Sequence, residues 1–337
     1  MKISVIIPVR NPDMRLLKRA LESVYAQASA DFEILLVNDG SSENFAEKIR
    51  GVVAGKEKIR LLETGPMGVS AARNLALNEA GGDIVTYLDG DDTLSPLCFK
   101  EAITILENTD LDALWGGCVY GPEGDLGERR RAEREEALDE LLKKTDEPGG
   151  GDRHLARAEC VGEPRRYANG VYINRGIAGR FIKKEKLMAS GIKFPEGFRI
   201  YEDAIWNLEM LERLKVSYVD RQWYYYLENK NSVLNSWAPG MAADMEKALA
   251  AIREILDMED AQEYKAYTRL LMDSLRYAAR SHKGRAGHLY KDLPWSEIGT
   301  EKYRKHAGRK DRLKAALYRR HLLLFIWKLK WKLTKNY

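Results

Sequence analysis

Cysteine is scarce in this 337-residue chain: Cys98, Cys118 and Cys160 form no even set and no Cys-x-x-Cys pair. That excludes a disulfide framework and a thiolate zinc site, and it fits a reducing compartment. The five histidines, His154, His282, His288, His306 and His321, show no metal-binding spacing, so each reads as a surface or hydrogen-bonded side chain. Long apolar runs are missing too. None reaches the roughly 18 residues of a membrane span, and the opening run Ile3 to Val9 contains Pro8 and lacks a small-residue cleavage site. The expected location is therefore cytoplasmic. Neither sign of charge dominates, with Lys+Arg 55 against Asp+Glu 51 and a formal +4, so nothing suggests a nucleic-acid partner. The sequence also lacks internal repeats and coiled-coil heptads.

Charge is instead unevenly placed. Lys302 to Tyr337 holds thirteen Lys/Arg and one acid, Asp311, which makes the body before it net acidic. Within this tail Leu322, Phe325, Ile326, Leu329 and Leu333 share one helical face. Arg320, Lys328, Lys332 and Lys335 flank it, and Trp327 and Trp331 lie off the stripe. The pattern resembles an interfacial helix on an anionic membrane surface, peripheral on the inner face of the cell membrane. The alternative is a helix docked on the acidic body or on another subunit; oligomeric state is not readable.

At roughly 150 residues per domain the length allows about two domains. The first 120 residues alternate short apolar runs with helical patterns, the signature of βαβ units and an α/β fold, a Rossmann-like mostly parallel sheet flanked by helices. Ile3 to Val9, Phe32 to Val37, Ile59 to Leu62 and Ile84 to Leu88 read as strands. Asn11 is the expected N-cap of the first helix, with Pro12 at its first position and Leu17, Leu21, Val24 and Ala28 on its buried stripe. Gly40-Ser41-Ser42 caps a helix through Ile49, and Gly68 to Ala80 and Ser95 to Leu106 supply two more. A charged block and the Pro148-Gly149-Gly150-Gly151 break mark an insertion near 121–170 that is expected to be partly mobile. After Pro239 the pattern is helical to about Ala279, a C-terminal helical extension.

In an open α/β sheet, ligands bind beyond the carboxyl ends of the strands. Those ends carry Pro8-Val9-Arg10-Asn11, Asn38-Asp39-Gly40-Ser41 and Asp89-Gly90-Asp91-Asp92, and the helix after the third strand opens with Gly68 to Asn74, including Arg73. Three acids in four residues raise one another's pKa or demand a cation. Mg²⁺ or Mn²⁺, which takes one or two carboxylates plus phosphate oxygens, points to a metal–nucleotide diphosphate site. Each piece also has a plainer reading: Asp89 to Asp92 as a solvated capping turn, Asp39 as a turn former, Arg73 as a surface residue, Glu202-Asp203 as an exposed helix start. Trp223-Tyr224-Tyr225-Tyr226 fits a half-buried strand as well as a sugar-stacking surface.

These stretches, with Phe32 to Ser42, Gly68 to Asn74 and Asp83 to Asp92, resemble the successive motifs of family 2 glycosyltransferases with the GT-A fold. The resemblance extends through Gly179 to Lys184, Gly191 to Gly197 and Glu202-Asp203, over roughly residues 1 to 235. It implies an inverting, metal-dependent enzyme that moves a sugar from a nucleotide-sugar donor, UDP-linked, to a glycan or lipid-linked acceptor in surface polysaccharide assembly. Residues 1–118 would be the donor half, 119–237 the acceptor half and 238–337 a helical region. Asp39 would accept from the uracil N3–H, with Pro8 and Arg10 lining the base pocket and Arg73 near the nucleotide. Asp91 would bind the metal and Asp89 would lie near ribose or metal, with Gly90 between them. Asp203 would be the general base. Glu202, Asp92 and Ser232 are secondary candidates, Ser232 because relatives often place a polar or basic element there. Asn38 departs from the two acids common before the Gly-Ser turn. Competing readings are a sugar-phosphate nucleotidyltransferase, which wants a Gly-rich loop and a Lys after the first strand, and a non-catalytic membrane-binding module.

Overall fold

The computed structural model describes residues 1–27, 31–121, 137–162, 165–168, 171–173, 175–227, 241–281, 295–323 and 326–327. The chain forms two units. The first comprises residues 1–151, 164–197 and 202–230, and the second comprises 152–163, 198–201 and 231–337.

The first unit is built on one sheet of β1 (Ile3–Val9), β2 (Phe32–Asp39), β3 (Ile59–Thr64), β4 (Ile84–Tyr87), β5 (Thr93–Leu94), β6 (Ala113–Gly121), β7 (Thr145–Asp146), β8 (Arg180–Lys183) and β9 (Val216–Leu227). Their order is β3-β2-β1-β4-β8-β6-β9-β5, with β7 on β9. β3, β2, β1 and β4 pair in parallel, as do β6 and β9, while β8 runs antiparallel to both β4 and β6. Two antiparallel steps restore direction. The carboxyl ends of β1, β2, β4, β6 and β9 therefore emerge at one edge of the sheet, where a ligand site is expected.

The four expected N-terminal strands are present, and β2 continues through Asp39. β1, β2 and β4 are almost entirely buried, as continuous apolar strands covered on both faces must be. Helices α1 (Met14–Tyr25), α2 (Glu43–Val53), α3 (Val69–Glu79) and α4 (Cys98–Glu107) follow the strands. Leu17, Leu21 and Val24 of α1 are buried, and Ala28 lies outside the described residues.

One expectation fails at the start of α1. Asp13, not Asn11, is the cap, accepting from the N–H groups of Arg15 and Leu16. Asn11 sits at φ 46, and its side-chain oxygen accepts instead from Ser42 N–H at 2.9 Å. Both residues are good caps; the tie to the β2 loop decides between them. Trp223, Tyr224 and Tyr225 are buried in β9, so the strand reading holds for them.

The second unit is helical: Arg153–Val161, Met241–Ile255, Ala261–Ser281, Glu301–His306 and Arg309–Arg319. Its interior holds Leu249, Ile252, Tyr264, Tyr267, Leu271, Trp295 and Tyr303. The fully buried Glu263 accepts from Arg157 Nε at 3.0 Å and Asp257 N–H at 2.7 Å, and it lies 2.5 Å from His154 Nδ1. His154 is thus a paired histidine; with Asp260 and Glu263 it makes a His/acid group that sequence spacing did not reveal. Glu263 is already engaged there by an arginine and a main-chain amide.

Tyr303, Ala315 and Tyr318 are buried, and Tyr318 Oη donates to Trp295 O at 2.9 Å, so the first part of the basic tail is docked on its own unit. Of the apolar stripe, Leu322 and Ile326 are described and exposed. Phe325, Leu329 and Leu333 lie outside the described residues, as do Lys328, Trp331, Lys332 and Lys335. Among the described residues no helix is long and apolar enough to cross a membrane.

Candidate active site

The loops after β1 and β2 are knitted together at the sheet edge. Asn11 N–H donates to Ser41 Oγ at 2.8 Å, complementing the Ser42 to Asn11 bond. Asn38 accepts from Ser41 N–H at 3.1 Å and donates through Nδ2 to Glu63 Oε1 at 3.4 Å. Only an amide can do both, and a carboxylate in its place would face Glu63; that accounts for Asn where two acids are common. Asp39 is buried, and its carboxylate accepts from Met67 N–H at 2.6 Å and Gly68 N–H at 3.1 Å. It thereby clamps the turn that opens α3. Gly40 is required between them: its φ is +66, and a Cβ would stand 2.5 Å from Pro66 N. Pro8 is half-buried and Arg10 exposed at the end of β1.

Arg73 of α3 is the centre of the site. It is only 4% exposed, which corrects its surface reading. Nη2 reaches Asp89 Oδ1 at 3.1 Å and Nη1 reaches Glu202 Oε1 at 3.2 Å, while the guanidinium lies over the Phe194 ring at 5.1 Å. Burial works against the charge, but Asp89, Glu202 and Asp203 outweigh it and raise the Arg73 pKa. The next residue, Asn74, donates to Phe194 O at 2.9 Å and accepts from Phe194 N–H at 2.9 Å, so α3 also fixes the Phe194 to Gly197 segment. Behind the acids, Tyr87, Phe194 and Trp206 pack as an aromatic wall, with Phe194 and Trp206 stacked at 4.3 Å.

This arrangement sorts the two adjacent acids. Glu202 is taken by Arg73. Asp203 has no bond to that guanidinium among those resolved; its Oδ1 accepts from Ala204 N–H at 2.8 Å. Burial and the neighbouring Glu202 charge push the Asp203 carboxyl up to about 7, against the pull of Arg73. An acid poised near neutrality is suited to accept and release a proton.

The Asp89 to Asp92 loop is fastened from below. Tyr224 Oη accepts from Asp89 N–H at 3.2 Å and donates to Asp92 Oδ2 at 2.7 Å, and Leu227 N–H donates to Asp92 Oδ1 at 2.9 Å. Asp92 is buried rather than part of a solvated turn, and burial with Asp91 and Asp89 nearby raises its pKa well above the ordinary carboxylate range. Its role is to hold the loop. Gly90 is forced by close approach, since a Cβ would meet Val9 Cγ1 at 2.8 Å. Asp89 and Asp91 remain partly exposed at the rim. Two hard oxygen donors beside an open edge suit Mg²⁺ or Mn²⁺, which leave their other positions to water and phosphate.

The structure thus brings Arg73, Asp89, Glu202 and Asp203 together and places Pro8, Arg10, Asp39, Gly90 and Asp91 along the same edge. Ser232 lies outside the described residues. Tyr224 is the site residue that sequence reasoning missed. The run of aromatics identified its strand, but nothing in the run marked one hydroxyl as a support for the acidic loop.

The sequence profile of Glycosyl transferase family 2 matches residues 4–158. The chain is 25% identical over 251 residues to the uncharacterized glycosyltransferase EpsJ of Bacillus subtilis, covering 74% of this chain and 68% of that protein. It is 26% identical over 283 residues to the GalNAc(5)-diNAcBac-PP-undecaprenol beta-1,3-glucosyltransferase of Campylobacter jejuni, covering 81% and 88%. Among solved structures, S. aureus TarS 1-349 in complex with UDP-GlcNAc superposes with a TM-score of 0.59 at 17% identity, covering 97% of this chain and 89% of that one. The fold is the expected α/β GT-A arrangement with its helical extension.

Removing Arg73 should strand two carboxylates. Arg73→Met is expected to lower unfolding free energy by about 3–5 kcal/mol in urea titrations, and Arg73→Lys to recover only part of it, because one ammonium cannot serve both acids in the same geometry. Full stability in Arg73→Met would show that the shared pair is not a structural centre.

Proposed function

Because residues 4–158 place this chain in glycosyl transferase family 2, we propose that it transfers a sugar from a UDP-linked donor to a hydroxyl of a glycan or lipid-linked acceptor, inverting the anomeric carbon. The observation that carries this is the division of labour around Arg73. Glu202 and Asp89 are bound by the guanidinium, and beside them at the ligand edge the Asp203 carboxyl is pushed up to about 7.

In the reaction the acceptor oxygen forms its bond to the anomeric carbon as the bond to the diphosphate oxygen breaks, and the hydroxyl proton passes to Asp203. A positioned base of this kind contributes about 10²–10⁴ in rate. Asp91, with Asp89, would hold Mg²⁺ or Mn²⁺. When bound, the ion supplies charge neutralisation for the departing diphosphate. Asp39 accepts the uracil N3–H through lone pairs not used by the 67–68 turn, with Pro8 and Arg10 beside the base. Arg73 acts through Asp89 and Glu202 as a positioning residue. The UDP-GlcNAc complex of TarS, the GDP-Man and Mn²⁺ complex of the Pyrobaculum mannosyltransferase and the undecaprenol-linked substrate in the Campylobacter relative's name support donor, metal and acceptor classes respectively.

A place in surface polysaccharide assembly suits attachment to the inner membrane face. Leu313, 66% exposed beside Arg309, Lys310, Arg312 and Lys314, and the exposed Leu322 and Ile326 support contact with anionic lipid. Removing residues after Arg320 should then weaken sedimentation with phosphatidylglycerol vesicles in a salt-sensitive way. Undiminished sedimentation would assign the contact elsewhere.

The chemistry has a pH signature with a definite sign. Below about 7 Asp203 carries a proton and cannot take another, so kcat should fall about tenfold per pH unit on the acid side and level off above. Asp203→Asn should abolish that limb, lower transfer by about 10²-fold or more and leave calorimetric binding of UDP with Mn²⁺ near wild type. Substantial transfer by Asp203→Asn would exclude Asp203 as the base.

A further inference from the structure

The chain enters the helix Glu202–Arg213 through a backbone conformation that its residue type resists. Tyr201, directly before that helix, has φ 62. Asn11 and His321, the other described non-glycine residues with positive φ, are of types enriched there, whereas a bulky aromatic residue is an outlier. The position disfavours it as well. A residue entering a helix usually has an extended backbone and caps it with a short side-chain oxygen, which tyrosine lacks. The Tyr201 hydroxyl is instead hydrogen-bonded at 3.0 Å with Oγ of the buried Ser274, in the helix Ala261–Ser281. The three residues before it are gripped by the helix Met241–Ile255. Arg199 pairs with Asp244, Lys247 Nζ lies over the Phe198 ring at 4.3 Å, and Ile200 forms a buried cluster with Met245 against which Tyr201 packs. These anchors belong to the second unit, as do residues 198–201.

A strained residue persists only where its surroundings over-determine it, and such residues cluster at active sites. Here the four anchors supply that surplus. Resting on the transfer reading above, we propose that Tyr201 is a positioning residue for Asp203: its left-handed backbone, held by Ser274 and the Met241–Ile255 helix, fixes the direction in which the helix bearing the base begins. Asp203 lies two residues on, and its Oδ1 accepts from Ala204 N–H, so a rotation at Tyr201 is carried straight to the carboxylate. Arg73 fixes the neighbouring Glu202 and leaves this task open. Misplacing a reacting group by about 1 Å can cost about 10²-fold in rate, so the grip on residues 198–201 has a catalytic consequence.

Kinetics and one backbone resonance test this separately on the full chain. The reaction followed is UDP release from UDP-glucose or UDP-N-acetylglucosamine with Mn²⁺ and water as acceptor. Tyr201→Gly removes the anchor and frees the backbone to take either sign of φ. Its kcat should fall about tenfold or more, with donor KM and calorimetric binding of UDP near wild type. Tyr201→Phe keeps the ring and should lose about threefold. Ser274→Ala should match it, and the double variant should be no worse than either, because all three remove one bond. The readout that needs no turnover is the Ala204 amide in ¹⁵N-alanine-labelled protein. Its resonance should shift in Tyr201→Gly, while those of Ala20 in α1 and Ala102 in α4 stay in place. An unmoved Ala204 resonance, an unchanged kcat, or loss of UDP binding in step with kcat overturns the assignment. If Tyr201→Gly does not fold, the Tyr201→Phe and Ser274→Ala pair decides, and additive losses or none overturn it. If the wild type releases no UDP while the Ala204 resonance responds, the proposed reaction fails and the positioning of Asp203 stands.

Discussion

One guanidinium, buried and shared between two carboxylates, holds this active-site region together. Arg73 joins the loop after β4, through Asp89, to the start of the helix Glu202–Arg213, through Glu202. Taking such a group out of water costs several kcal/mol unless its partners are well placed. The partners need it equally, because Asp89, Glu202 and Asp203 repel one another against an aromatic wall. The outcome is asymmetric. Two acids receive the cation's hydrogen bonds, and the third, Asp203, has its carboxyl pushed up to about 7 by burial and the neighbouring Glu202 charge.

The sheet makes this meeting possible. With β8 running antiparallel between β4 and β6, the two parallel runs point the same way, and their carboxyl ends share an edge. Tyr224 and Asp92 tie the far run to the near one, so the acidic loop is fixed by β9 as well as by its own Asp92 N–H to Asp89 O turn bond.

Much of this was legible in the sequence, for identifiable reasons. β1, β2 and β4 are apolar runs bounded by Gly, Asn and Asp, and burial on both faces leaves such runs little alternative. Asp39, Asp89 and Asp91 stood out because acids directly after buried strands are costly unless used. What stayed hidden depends on contacts distant in sequence. Arg73 and Glu202 are 129 residues apart, and no local pattern pairs them. The choice of Asp13 over Asn11 as helix cap was set by Ser42, and burial of Tyr303 and Tyr318 split the basic tail into a docked part and a remainder.

The central claim is that Arg73 leaves one acid of the cluster titrating near neutrality, and site-specific carboxyl NMR tests it most directly. With ¹³C-labelled aspartate, a wild-type carboxyl resonance should titrate near pH 7 and disappear in Asp203→Asn, while the remaining resonances keep their positions. A single Asp203 transition near pH 4, with nothing titrating around neutrality, would contradict the account.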